Sequence, residues 1–186
     1  MAGRKNIVLF FIIFPFALQA QLGLTFPVEY IDFTLDSEYF SVNGKYTFVH
    51  DAKVASQHRI TYPFPVNTAD IYDINVLNVT NASQVSYTRK ADFIQFDLQF
   101  KPKDTLEVCV SYKQKTREVN TYILKSTHFW NAPLQTAKYT LTVKPPVRIA
   151  QFSYKPDRSV KKADETVYYW SKKRFYPSED FIAKIK

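Results

Sequence analysis

The sequence predicts an all-β protein, and three observations carry that expectation. Apolar and polar residues alternate along most of the chain. Aromatic residues make up 17% of the 186 positions and stand beside many β-branched side chains. Turn-forming residues punctuate these runs at short intervals, as in a sandwich or barrel. Beyond the first twenty residues, no stretch carries the three-and-four apolar spacing of an amphipathic helix. The expected architecture is a single antiparallel, immunoglobulin-like β-sandwich domain over residues 21–186, after a cleaved signal peptide over residues 1–20.

The N-terminus supports the export part of that expectation. Arg4 and Lys5 form a positive head, an apolar run extends from Ile7 to Leu18, and the small residue Ala20 follows. A spanning helix needs about 20 apolar residues, whereas Pro15 interrupts this run and Gln19 and Gln21 close it. Cleavage after Ala20 and an exported location, periplasmic, outer-envelope or extracellular, are therefore expected.

The mature chain then reads as a succession of strands. Val28 to Leu35 is the first. From Tyr39 to Val49 two alternating runs flank Asn43-Gly44, residues that tolerate positive φ, which predicts a hairpin turn there. Arg59 to Tyr62 and Ile74 to Val79 follow. Ile94, Phe96, Leu98 and Phe100 share one face, Lys101 to Asp104 supply a turn, and Leu106, Val108, Val110 and Tyr112 share the next. Tyr122 to Leu124 comes next, after a connection at Lys113 to Asn120. Ala137, Tyr139, Leu141 and Val143 then alternate with polar residues until Pro145-Pro146 ends the ladder. Ile149 to Tyr154, Val167 to Trp170 and Phe181 to Ile185 complete the set. Tyr62-Pro63-Phe64-Pro65 and Phe129-Trp130-Asn131-Ala132-Pro133-Leu134 read as rigid aromatic corners closing an end of the sandwich.

Charge and composition narrow the function. The formal charge is +8, and it is uneven: residues 21–100 hold 5 basic and 9 acidic side chains, residues 101–186 hold 18 and 8. That asymmetry predicts a bipolar surface whose basic part attracts an acidic partner. Only three glycines occur, so a phosphate-cradling loop and a nucleotide cofactor are not expected. Nucleic acid is a poor partner for an exported chain without a recognition motif. Cys109 is the single cysteine, which excludes an intrachain disulfide; its place among polar neighbours weighs against deep burial.

No catalytic, cofactor-binding or metal-binding residue emerges. His50, His58 and Asp51 could flank one loop, but their spacing fits no zinc pattern. Glu179-Asp180 reads as a solvated turn rather than an acid–base pair, because neighbours on an extended chain point apart. Asn78-Val79-Thr80 and Asn81-Ala82-Ser83 fit glycan acceptor sites, which matters only in a eukaryotic source. The most suggestive cluster is Tyr168, Trp170, Lys172, Lys173 and Arg174, joined by Trp130. Its rings could stack on a sugar or clamp a peptide while the cations hold an anion. The alternative is rings packed into the core beside a charged sheet edge.

Val42-Asn43-Gly44-Lys45-Tyr46-Thr47-Phe48, Tyr62-Pro63-Phe64-Pro65-Val66, Tyr122-Ile123-Leu124 with Trp130-Asn131-Ala132-Pro133-Leu134, and Phe175-Tyr176-Pro177 follow in that order. In these segments the chain resembles a loosely defined group of uncharacterised exported bacterial proteins with immunoglobulin-like β domains. The resemblance implies an envelope or periplasmic β protein and transfers no catalytic residue. The expected function is a non-catalytic protein-binding or scaffold module of the cell envelope, whose partner is an envelope protein, with an acidic glycan or anionic lipid surface as further candidates. A carbohydrate-binding module using exposed aromatics is one alternative. A hydrolase whose residues converge only in the fold is the other.

Overall fold

A computed structural model describes residues 23–186, so the expected signal peptide lies outside the described residues. The first half forms β1 (Leu24–Leu35), β2 (Tyr39–His50), β3 (Ser56–Pro63), β4 (Ile71–Asn78), β5 (Ser83–Gln84), β6 (Tyr87–Arg89) and β7 (Phe93–Phe100). The second half adds β8 (Asp104–Lys115), β9 (Val119–Tyr122), β10 (Leu134–Val143), β11 (Ile149–Phe152), β12 (Arg158–Lys162), β13 (Glu165–Phe175) and β14 (Phe181–Ile185). Short 3-10 turns at Thr68–Asp70 and Lys125–Trp130 are the only helical segments among the described residues. The fold is all-β, as the alternation predicts.

Eight strands form one sheet in the order β12-β13-β10-β1-β2-β8-β4-β5, and two three-stranded sheets, β3-β7-β6 and β11-β14-β9, cover its inner face. The rings show how the layers meet. Tyr62 of β3 stands edge-on to Tyr46 of β2, with centroids 5.7 Å apart. Phe181 of β14 stacks on Phe33 of β1 at 4.6 Å. Phe96, Leu98, Val108, Val110, Tyr139 and Leu141 are all buried, on the faces their alternation assigns to them. The buried side chains of all three sheets join one cluster, a sandwich-like arrangement with its core between the layers.

Two expectations need correction. First, Asn43-Gly44 is not a turn: β2 runs unbroken through it, Gly44 pairing with Ile31 and with Val110. A Cβ on Gly44 would collide with the Tyr46 hydroxyl and lie 2.8 Å from Ile31 Cδ1. The glycine therefore serves the close approach of the Tyr46 ring within the strand, a role that glycine also fills in sheets. Second, the large sheet is mixed, since β1 and β10 pair in parallel, Ile31 with Tyr139 and Phe33 with Leu141. Side-chain alternation is the same for either strand direction, so the sequence pattern could not distinguish them. Of the second-half strands only β8 lies among those of the first half, and β12, β13 and β10 sit together at one end of the large sheet. Lys103–Asp51, Lys113–Asp73 and Arg117–Asp70 pair cations of one half with carboxylates of the other. Unneutralised cations remain on the edge strand β12, at Arg158, Lys161 and Lys162, where lysines discourage pairing with another sheet.

Candidate functional site

The sequence-derived aromatic cluster divides between core and surface. Tyr168 and Trp170 do share one face of β13, but that face points inward. Trp170 is 2% exposed, donates from Nε1 to the Tyr154 carbonyl at 2.9 Å, and packs edge-on against Phe152 and Phe181. Tyr168 is half-buried against Phe152. Neither ring forms a stacking platform, because β13 lies one strand in from the edge and its aromatic face closes the core. Lys172 is tied to Asp157 at 3.1 Å, whereas Lys173 and Arg174 are exposed. Trp130 is half-buried and leans on Phe26 and Phe48, with centroids 5.6 and 5.5 Å away.

The aromatic corner instead presents a residue the sequence did not single out by itself. Phe129 is 88% exposed on the Lys125–Trp130 turn. Beside it His128 stacks on the half-exposed ring of Tyr176 at 4.2 Å. Asp180 fixes this turn: its Oδ1 accepts from the backbone N–H groups of Leu124 and Lys125 at 3.0 and 2.9 Å. Asp180 is thus an anchor for the turn, which the reading of Glu179-Asp180 as a solvated turn did not foresee.

His50 and His58 share a hydrogen-bond chain through Ser56. His50, fully buried, has Nδ1 2.9 Å from the Lys101 carbonyl and Nε2 2.8 Å from Ser56 Oγ, which lies 2.8 Å from His58 Nε2. A carbonyl only accepts, so Nδ1 of His50 carries the proton and its Nε2 accepts from the Ser56 hydroxyl. Ser56 then accepts from His58 Nε2–H, and the lone pair a metal would need on His50 is used. Among the described residues no group of three potential ligands converges. Burial pushes the His58 imidazole below its ordinary value.

A second buried polar cluster is incomplete. Glu29 points to the inner face of β1 and is 2% exposed, and among the described residues neither its Oε1 nor the nearby Tyr139 hydroxyl meets a hydrogen-bond partner. Burial raises its carboxyl to about 8, outweighing the opposite, hydrogen-bonding pull of the adjacent Tyr139 hydroxyl, although the two groups stop short of hydrogen-bond geometry. Next to it the Tyr46 hydroxyl contacts those of Tyr62 and Tyr122 at 2.8 and 2.9 Å. Glu29 and these three phenols line a cavity of about 50 Å³ whose remaining wall includes Phe26, Phe48 and Trp130. A single acidic residue in an otherwise alternating apolar face, Glu29 followed by Ile31, Phe33 and Leu35, was the available signal. Alternation alone does not tell whether such a carboxyl finds a partner.

Two other features complete the surface. A polar groove of about 660 Å³ between β4–β5 and the β6–β7 pair is lined by Gln84, Tyr87, Gln95, Gln99 and Asn78. Asn78 is buried with its Oδ1 unpartnered, whereas Asn81 is exposed in the adjacent turn. Cys109 is half-buried on the outer face, 3.0 Å from Asn43 Oδ1, and burial pushes its thiol up. That shift lowers the thiolate fraction and with it nucleophilic reactivity.

No known sequence family and no curated protein matches the chain. Solved structures do share its fold. A putative nutrient binding protein from Legionella pneumophila superposes with a TM-score of 0.74 at 16% identity, over 88% of this chain and 67% of that one. An M1 zinc metallopeptidase from Deinococcus radiodurans superposes with a TM-score of 0.56 at 13% identity, over 88% of this chain and 43% of its own. The chain thus spans less than half the length of the metallopeptidase. At these identities the likeness is one of fold.

Proposed function

We propose that the protein is an exported, non-catalytic binding module that engages another protein of the cell envelope. The observation that carries the reading is Phe129, a large apolar side chain left 88% exposed on an anchored turn. Aromatic side chains held rigidly at a surface dominate the energy of many interfaces. Tyr176 and His128 extend the apolar patch, and the exposed Lys125, Lys173 and Arg174 lie close to it in the chain and favour a partner with acidic groups around an apolar centre. A fold shared with a putative nutrient binding protein supports a binding role. Export with removal of residues 1–20, a single domain over residues 21–186, and an immunoglobulin-like lineage for the sandwich belong to the same proposal.

The test is site-specific photocrosslinking in the native cell, with the crosslinker at position 129 and, as a control, at the exposed Lys161 of β12. A defined protein adduct is expected at 129 alone. Its affinity should fall about tenfold or more on Phe129→Ala, the loss of one aromatic anchor, and should weaken with salt. Equal labelling at both positions would overturn the reading.

The 660 Å³ groove favours a second reading, a glycan-binding module, because the unpartnered Asn78 Oδ1 lines it with several amides. Binding of neutral oligosaccharides that is lost on Tyr87→Ala would support that alternative.

A further inference from the structure

The cavity at Glu29 combines a buried, incompletely paired carboxyl with aromatic walls and an opening to the surface. Its carboxyl is buried with one oxygen unpaired, although buried polar atoms are almost always hydrogen-bonded. Its walls are aromatic: Phe26 lies 5.8 Å from Tyr46, 5.4 Å from Phe48 and 5.6 Å from Trp130, centroid to centroid. The cavity is not sealed, since its lining includes the exposed Thr61 and the half-exposed Pro63, Ile123 and Ser126. Among the described residues no lysine, arginine or histidine lines it.

We propose that this cavity binds a primary ammonium group on a short alkyl stem, its charge held by the Glu29 carboxylate inside the cage of Phe26, Tyr46, Phe48 and Trp130. Ring faces attract organic cations, and the N–H donors pair with the Glu29 carboxylate in a charge-assisted hydrogen bond. The volume, about 50 Å³, holds a few water-sized groups at about 10–15 Å³ each and excludes a quaternary head. A hard divalent cation, which takes six or more oxygen ligands, finds one carboxylate here. The site is independent of the protein partner proposed at Phe129, because its occupant is small and its charged group is buried.

Binding requires Glu29 to ionise, so the site releases a proton as the cation enters. The groups that face Glu29 are Tyr139 of β10, Tyr46 of β2, Tyr122 of β9 and Tyr62 of β3, with Tyr112 of β8 behind them. Burial holds all five phenols well above their ordinary value of 10. They stay neutral while Glu29 titrates near 8. Affinity for an alkylammonium should therefore rise about tenfold between pH 7 and pH 9, following the ionised fraction of a group of that pKa.

The experiment titrates the exported protein with methylammonium and n-propylammonium chloride. Calorimetry and the ¹³C shift of the Glu29 carboxyl are the readouts, with 1-propanol and tetramethylammonium as controls. Saturable binding of the two primary amines, the rise with pH, and loss on Glu29→Gln are expected. In the wild type, saturating amine should lower the Glu29 midpoint by about one pH unit or more, a readout that does not depend on the variant folding. Equal binding of 1-propanol or tetramethylammonium, unchanged binding in Glu29→Gln, or a Glu29 midpoint insensitive to amine would overturn the proposal.

Discussion

Two polar clusters, the half-buried one around His50 and the fully buried one around Glu29, differ in how completely their atoms are paired. At one, His50, Ser56, His58 and the Lys101 carbonyl form a chain in which every donor meets an acceptor. At the other, three phenols satisfy one another but Glu29 and Tyr139 are left over. Burying a hydrogen-bonded group costs little, whereas a buried orphan forfeits its full solvation. The first cluster therefore locks the loop between β2 and β3 to the turn before β8. The second stores a cost that a ligand can relieve.

The largest expected effect separates the clusters by pH. Glu29 binds its proton more tightly folded than unfolded, with a folded value of about 8 against an ordinary 4.5. Stability is thus full below pH 4.5 and is lost as pH rises toward 8, by up to about 1.4 kcal/mol per unit. Urea unfolding between pH 5 and 9 should show that decline, and Glu29→Gln should flatten it. His58 works in the opposite sense. Its folded imidazole lies below the ordinary 6.5, so its contribution is present above that pH and is lost as pH falls through the folded value. His58→Gln should remove that weaker rise and leave the Glu29 decline intact.

A smaller effect tests the hub of the incomplete cluster. Tyr46→Phe orphans the hydroxyls of Tyr62 and Tyr122 at once and should cost about 1–3 kcal/mol in denaturant unfolding. A loss below about 0.5 kcal/mol would mean that water already serves these groups. The smallest effect belongs to Phe129→Ala. Its side chain buries almost nothing in the isolated protein, so unfolding should shift by less than about 0.5 kcal/mol while partner affinity falls about tenfold or more. The two readouts separate a surface anchor from a core residue.

How far each region was legible in the sequence follows from the range of the forces involved. Alternation placed Phe96, Leu98, Val108, Val110, Tyr139 and Leu141 in the core because a strand with one buried face must repeat every second residue, a strictly local constraint. Composition likewise fixed the all-β class and the lack of a glycine-rich loop. Local rules misread Gly44, since the reason for that glycine is the Tyr46 ring folding back over it inside a paired strand. They also could not divide Trp170 from Phe129: both belong to aromatic runs, and only the neighbours supplied by Tyr154, Phe152 and Phe181 bury one while the other projects from its turn. The parallel pairing of β1 with β10, the convergence of His50 on Ser56 and the placement of Glu29 beside Tyr46, Tyr62, Tyr122 and Tyr139 were decided by the tertiary structure. Each depends on groups far apart in the chain, and whether a buried charge finds a partner is settled by what those distant strands bring to it.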